Sequence, residues 1–205
     1  MQSDTHSNIE ALKAQLNAHK LAQYLRVSGG LPIPMAGAVY WLILAWLGTQ
    51  TDLNGWATIA FPLSGAIFPL ALFFAFLTKN DFMKDKSAIS SVLFPTFASM
   101  LLFWPMLFMA AKSAAPELVV PILAIGMSLH WPVIGWAYNR TALFTAHSIA
   151  RAAAVLFVWF SAPETMLVWI PVVVAASYIF TVVAIYFDLK ILRHKSNLTL
   201  NGASA

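Results

Sequence analysis

Residues 126–160 read GMSLHWPVIGWAYNRTALFTAHSIARAAAVLFVWF. Two apolar segments flank a short polar turn at Asn139–Arg140. His130 lies in the first segment, and His147 and Arg151 lie in the second. Each segment is close to the roughly 20 residues that a helix needs to cross a hydrocarbon layer, so the stretch reads as two antiparallel membrane helices. A charge inside a span costs about 2.5–3.5 kcal/mol on insertion scales, which makes an ionisable residue there a candidate functional site.

The whole chain has this character. Of its 205 residues 60% are hydrophobic and only 10% are charged, and the mean hydropathy is +0.75. A soluble domain carries about 25% charged residues, so this chain has too few charges to cover a surface facing water. Its 15 Phe and 8 Trp suit lipid-facing packing and interfacial belts. The lack of cysteine excludes disulfides, thiolate metal sites and cysteine nucleophiles. The +4 net charge is spread over several loops, which fits a positive-inside bias better than a nucleic-acid partner.

Six spans follow: about Gly29 to Gly48, Trp56 to Leu77, Ala88 to Ala111, Leu118 to Tyr138, Thr141 to Phe160, and Met166 to Phe187. Helices satisfy their own backbone groups in lipid, and the alternating ten-residue segments of a membrane barrel do not occur. The expected fold is an all-α polytopic bundle. It comprises an N-terminal arm over 1–28, a six-helix domain over 29–190 and a tail over 191–205. No secretory signal is read in the first 28 residues. Ten of the twelve Lys and Arg residues fall before the first span, in the second and fourth loops, or after the sixth span. Among them are Lys84 and Lys86. Both termini are therefore expected on the cytoplasmic side of an inner membrane. Arg151 belongs to neither side.

The arm repeats Ile9, Leu12 and Leu16, then Leu21, Tyr24 and Leu25, at helical spacing. It reads either as an interfacial helix whose Lys13, Lys20 and Arg26 meet anionic lipid or as a solvated arm. The tail beyond Lys195 is small and polar and is expected to be disordered. Proline recurs in the spans, as at Pro62, Pro69, Pro105, Pro132 and Pro171. Each removes a backbone donor, which fits a kinked, cavity-lining helix or the ordinary enrichment of proline in membrane helices. Gly29 and Gly30 read as a hinge or as a simple break before a helix that opens near Pro32.

His147 and Arg151, four residues apart, share a helix face, and Arg140 lies at its mouth. With a rise of about 1.5 Å per residue, Arg151 sits roughly 15 Å from the turn, near mid-bilayer. Reflecting the chain about the turn sets His130 at the depth of Arg151 and His147 opposite Ile134. Pro132 frees a carbonyl near Ser128, and Trp136 and Tyr138 flank the same helix. The candidate ligand-binding set is thus Arg151, His147, His130, Tyr138, Trp136 and Arg140. No Asp or Glu lies deep in any span, and Asp188 is the nearest carboxylate by depth, well offset. Arg151 is left with backbone carbonyls, water, or an anionic group such as a carboxylate, a phosphate or a lipid headgroup, which its planar fork suits.

Other chemistry lacks parts. The two histidines have no further intramembrane ligand to complete a metal or haem site. Ser128 and Ser148 lack the buried acid of a hydrolase triad. No phosphate-binding glycine loop is present. No catalytic residue, metal or cofactor is assigned.

The run Gly29-Gly-Leu-Pro with Ala36-Gly37 and Trp41, and His130 with Pro132, Trp136 and Tyr138, resemble a family of small bacterial multi-pass membrane proteins of unknown function. The similarity extends from about Arg26 to about Lys190. It implies a bacterial cytoplasmic membrane and brings no activity with it. Two functional readings stand. One is a protein that binds or transports an anionic or amphiphilic ligand, with membrane lipids as partners. The other is a non-catalytic structural or regulatory subunit in which Arg151 and His130 tie helices together. The sequence leaves the oligomeric state open.

Overall fold

The computed structural model describes the backbone of residues 2–80 and 87–202, with side chains at 6–80, 87–93 and 95–194. Lys84, Lys86 and the Lys195 side chain lie outside the described residues. Helix α1 covers Gln2–Arg26 and α2 covers Pro32–Leu47. Then come α3 at Leu53–Ser64, α4 at Ile67–Leu77, α5 at Leu93–Met100 and α6 at Trp104–Ala111. The last four are α7 at Val119–Gly126, α8 at Trp131–Ala137, α9 at Thr141–Ser161 and α10 at Met166–Gly202. Among the described residues, five helical stretches are long and apolar enough to cross a membrane, and α3 with α4, bent by 51°, brings the number to six if the pair is one span. The fold is an all-α transmembrane bundle.

The junctions between spans meet at two ends. At one end Asn80 Nδ2 donates to Val27 O at 2.7 Å and Ser87 Oγ donates to Gln23 Oε1 at 3.0 Å. Arg140 Nε meets Asp188 Oδ2 at 2.6 Å there, and an Arg193 amino group donates to Ser28 Oγ at 3.1 Å. Arg140 also lies 5.3 Å from the Tyr24 ring, so these contacts bring Arg140 and Arg193 to the foot of α1. At the opposite end Gly48 packs on the Leu167 backbone. The helical stretches therefore run back and forth between the two ends.

Lys20, Gln23 and Tyr24 on α1, with Val27 just beyond it, are buried against the bundle. The Lys20 ammonium lies 3.3 Å above the Trp136 ring, and burial lowers its pKa from the ordinary lysine value. Farther out, Ile9, Leu12 and Leu16 continue the same helix face but are exposed. Ser28, Gly29 and Gly30 all have positive φ, so the break before α2 is a left-handed turn. A Cβ on Gly29 would lie 2.5 Å from Ile185 and 2.9 Å from Tyr24. The pair is a packed corner. At the far terminus α10 stays helical to Gly202, past the point where a disordered tail was expected. The continuing i→i−4 ladder of the long helix carries through a polar stretch that has no proline to stop it.

Prolines shape the spans. Pro132 has no N–H for the carbonyl four residues back, Ser128 O; that oxygen instead accepts from Trp131 N at 3.1 Å and from Ser148 Oγ on α9 at 2.9 Å. The fourth span is accordingly broken between α7 and α8, and the third is interrupted by a short 3-10 turn at Leu101–Phe103 just before Pro105. α10 packs against α2 and α9, α9 against α7 and α8, and α2 against α4. These contacts put the well-packed core on the side of α2, α9 and α10.

Candidate functional site

The buried face of α9 is Phe144, His147, Arg151, Val155 and Val158, a spacing of three and four that keeps one stripe inward. The stripe faces the inward edge of α10, where Ile170, Val174, Tyr178, Thr181 and Ile185 are buried. Arg151 is 0% exposed. Its guanidinium carbon lies 5.3 Å from the Trp41 ring of α2 and 5.0 Å from the Tyr178 ring. None of its three side-chain nitrogens has a hydrogen-bond partner among the described residues. Arg151 thus reaches the neighbouring helices through aromatic faces. A desolvated cation–π contact gives about 2 kcal/mol, far below the cost of holding an unpaired charge in an apolar interior. Asp188 offers no help, because it pairs with Arg140.

One turn earlier, His147 Nδ1 lies 2.7 Å from Thr181 Oγ1. The Thr181 hydroxyl has a single proton and donates it to Ser177 O at 2.9 Å. With the Thr181 proton on Ser177 O, His147 donates through Nδ1–H and Nε2 is left as the acceptor. That Nε2 is buried without a partner. Trp41 Nε1, Trp131 Nε1 and His130 Nδ1 are also buried and unpartnered. Ring contacts join these groups. Trp131 lies 5.2 Å from His130, 5.1 Å from His147 and 5.8 Å from Tyr178, and His147 lies 5.2 Å from Tyr178.

The mirror that pairs His130 with Arg151 is slipped throughout. Gly135 sits against Phe144 where Ala146 was expected, Ser128 is opposite Ser148 where Ala153 was expected, and His147 faces Trp131 where Ile134 was expected. The break between α7 and α8 changes the rise per residue and slips the register. It brings the His130–Trp131 pair to the level of His147.

Beside this cluster lies a cavity of about 1230 Å³, bounded by the bent α3–α4 pair, the interrupted third span, α2, α7 and α8. Its walls are mostly apolar, with Phe61, Phe97 and Trp104 prominent. Gln23, Ser87, Ser90 and Tyr138 supply polar groups at the basic end. Phe68 and Leu101 on the rim are exposed on the outer surface of the bundle, so the cavity opens sideways. Trp131 and Tyr178 line it on one face and touch His147 on the other. Tyr178 also lies against Arg151, so the two rings form a partition between the cavity and the His147–Arg151 stripe. A Cβ on Gly37 would lie 2.7 Å from the Tyr178 ring, so the glycine is what lets that ring sit where it does.

Of the six candidate residues, His130 and Tyr138 line the cavity, and His147 and Arg151 lie behind its partition. Trp136 and Arg140 stand apart. Trp136 sits under Lys20, and Arg140 is paired with Asp188. Trp41, Trp131, Tyr178 and Thr181 complete the cluster and were not in the candidate set. For the two on α10, the signal was the run of polar residues Ser177, Tyr178 and Thr181 on one side of an otherwise apolar span.

No curated protein and no solved structure matches the chain. A family model does, over residues 16–188, close to the extent expected from the quoted motifs, and the chain belongs to the family described as "Family of unknown function (DUF7010)".

Proposed function

We propose that this membrane protein binds an amphiphilic molecule with an anionic group, drawn from the surrounding bilayer. The apolar chain occupies the side-opening cavity, and the anionic group passes the Trp131–Tyr178 partition to reach Arg151. The observation that carries the reading is a fully buried guanidinium with no acidic or hydrogen-bonding partner among the described residues, next to an apolar cavity. Arginine stays protonated in proteins, so an outside anion is the natural counter-charge. The protein resides in a bacterial inner membrane with both termini cytoplasmic. The exposed Ile9, Leu12 and Leu16 of α1 rest on that membrane's surface, with Lys13 toward anionic lipid.

A second reading has its own support. The Trp41 and Tyr178 contacts link α9 to α2 and α10, as a structural tie in a regulatory subunit would.

Arg151→Met separates the two, because it keeps the volume and removes the charge. If the residue is a ligand seat, the variant melts in detergent at or above the wild-type temperature, since an uncompensated buried charge is gone. Decanoate then stabilises wild type by up to about 2.7 kcal/mol at a hundredfold excess over Kd. Decanol does so less, and the variant loses the difference. Decanoate failing to shift wild type, with Arg151→Met melting several degrees lower, sinks the ligand reading. Orientation is tested on the cysteine-free background. Cysteines at the exposed positions Asp52 and Lys190 should label from opposite sides of intact cells. Labelling of Lys190→Cys from outside overturns the orientation.

A further inference from the structure

The groups around Arg151 are not all donors, and the exception bears on what the ligand carries. The guanidinium brings five N–H groups, and the indoles of Trp41 and Trp131 bring one each. All of their nitrogens lack partners. Each is a donor that lacks an acceptor among the described residues. His147 Nε2 is different. When Thr181 gives its proton to Ser177 O, Nδ1 carries the imidazole proton and Nε2 presents a lone pair, one helical turn from Arg151 on a ring that contacts the Tyr178 and Trp131 of the partition. A buried acceptor left without a donor costs about 1–3 kcal/mol. A ligand that meets Arg151 with charge and His147 with an O–H satisfies both.

We infer that the anionic group bound here keeps a proton of its own and donates it to His147 Nε2, and that the ligand class is a phosphate monoester on an apolar chain. The inference rests on the amphiphile-binding reading above and narrows it. An ionised carboxylate and a sulfate ester carry charge but no O–H. A phosphate diester also carries charge and no O–H on the phosphorus. A phosphate monoester has its second pKa near 6, so in its monoanionic form it holds accepting oxygens for Arg151 and the indoles and one hydroxyl for His147. The apolar walls behind Trp131 and Tyr178 take the chain. His147 is then a specificity residue, and Arg151 supplies most of the attraction.

The test uses the full chain purified in a neutral detergent at pH 6.0, with four probes: decyl phosphate, decyl sulfate, decanol and inorganic phosphate. Binding is read from tryptophan fluorescence and from thermal shift. Wild type should bind decyl phosphate about tenfold more tightly than decyl sulfate, the effect of one buried hydrogen bond. It should bind both more tightly than decanol. His147→Ala should bring the two anions to within about twofold of each other. His147→Gln, whose amide oxygen still accepts, should restore part of the preference. If His147→Ala does not fold, the wild-type ranking and His147→Gln decide the matter. Equal binding of the phosphate and sulfate esters by wild type overturns the inference and leaves the reading above intact. A His147→Ala loss that is the same for both esters overturns it too, because a merely structural histidine would do that. Inorganic phosphate binding as tightly as decyl phosphate overturns the chain-bearing class in favour of a free anion. If no chain-bearing probe binds, the amphiphile reading itself fails.

Discussion

Arg140 and Arg151 belong to the same helix, about 16 Å apart along its axis, and the protein treats them in opposite ways. Arg140, at the mouth of α9, meets Asp188 at 2.6 Å and also bonds the Asn139 carbonyl. Arg151 is completely buried and meets only the faces of Trp41 and Tyr178. The first pair is about a quarter exposed, with side chains 20% and 30% accessible, so water shares the work of solvating it. The second charge has no such help, yet the chain spends its carboxylate at the surface. A bundle built only for stability would place Asp188 the other way round. The contrast is the strongest reason to read Arg151 as a seat for something the chain does not itself provide.

The largest effects should come from breaking the aromatic cage that stands where a carboxylate would. Trp131 stacks on Phe144 at 5.5 Å and contacts His147 and Tyr178. Trp131→Ala should cost about 3–5 kcal/mol, as other large-to-small core changes do, and open the cavity onto Arg151. Thermal melting in detergent measures the loss, and a shift of under a degree would mean that the partition is not part of the packed core. Gly37→Ala comes next. Its new methyl meets the Tyr178 ring, so it should cost about 1–3 kcal/mol and displace the ring from Arg151. Gly65→Ala serves as the comparison, since a Cβ there meets only Pro62 O at 3.3 Å. If the two glycine variants melt alike, the close approach of Tyr178 is not what fixes the cage.

The surface pair should matter less. Asp188→Asn removes the counter-charge of Arg140 at a partly exposed site and should cost about 1 kcal/mol or less, shrinking further at high salt. A loss of several kcal/mol, insensitive to salt, would erase the distinction between the two arginines.

Much of this architecture was legible in the chain. The spans announce themselves as apolar runs, because a lipid-facing helix has no polar alternative. The consequence of Pro132 was readable in part: a missing N–H was expected to free a carbonyl near Ser128, and Ser128 O accepts from Ser148 across the helices while also taking the Trp131 N–H. Arg151 and His147 were legible as a pair because one helix carries both. The cage around them was not. Trp41, Trp131 and Tyr178 come from three different spans, and no local pattern says which face of one span meets which face of another. The cavity was harder still. It arises from the 51° bend between α3 and α4 and the interruption at Leu101–Phe103, and the size of a gap depends on how such small angles add. Arg140 and Trp136 were grouped with the site on sequence proximity alone, and partners remote in sequence, Asp188 and Lys20, claimed them.

The smallest expected effect tests the link between the two arginines. Ser148 lies between them on α9, and its bond to Ser128 O joins that helix to the break that slips the register. Interhelical hydrogen bonds in membranes average about 0.6 kcal/mol, so Ser148→Ala should lower the melting temperature only slightly. Its effect on binding should exceed its effect on stability. Ser128 O would keep only its bond from Trp131 N, the His130–Trp131 turn would lose its tie to α9, and the partition in front of Arg151 would loosen. Decanoate affinity and melting temperature, measured on the same variant, separate the two quantities. If affinity falls while stability barely changes, the slipped register positions the site. If both change together, or neither does, the bond serves packing alone, and Arg151 is set by its rings without help from the α7–α8 break.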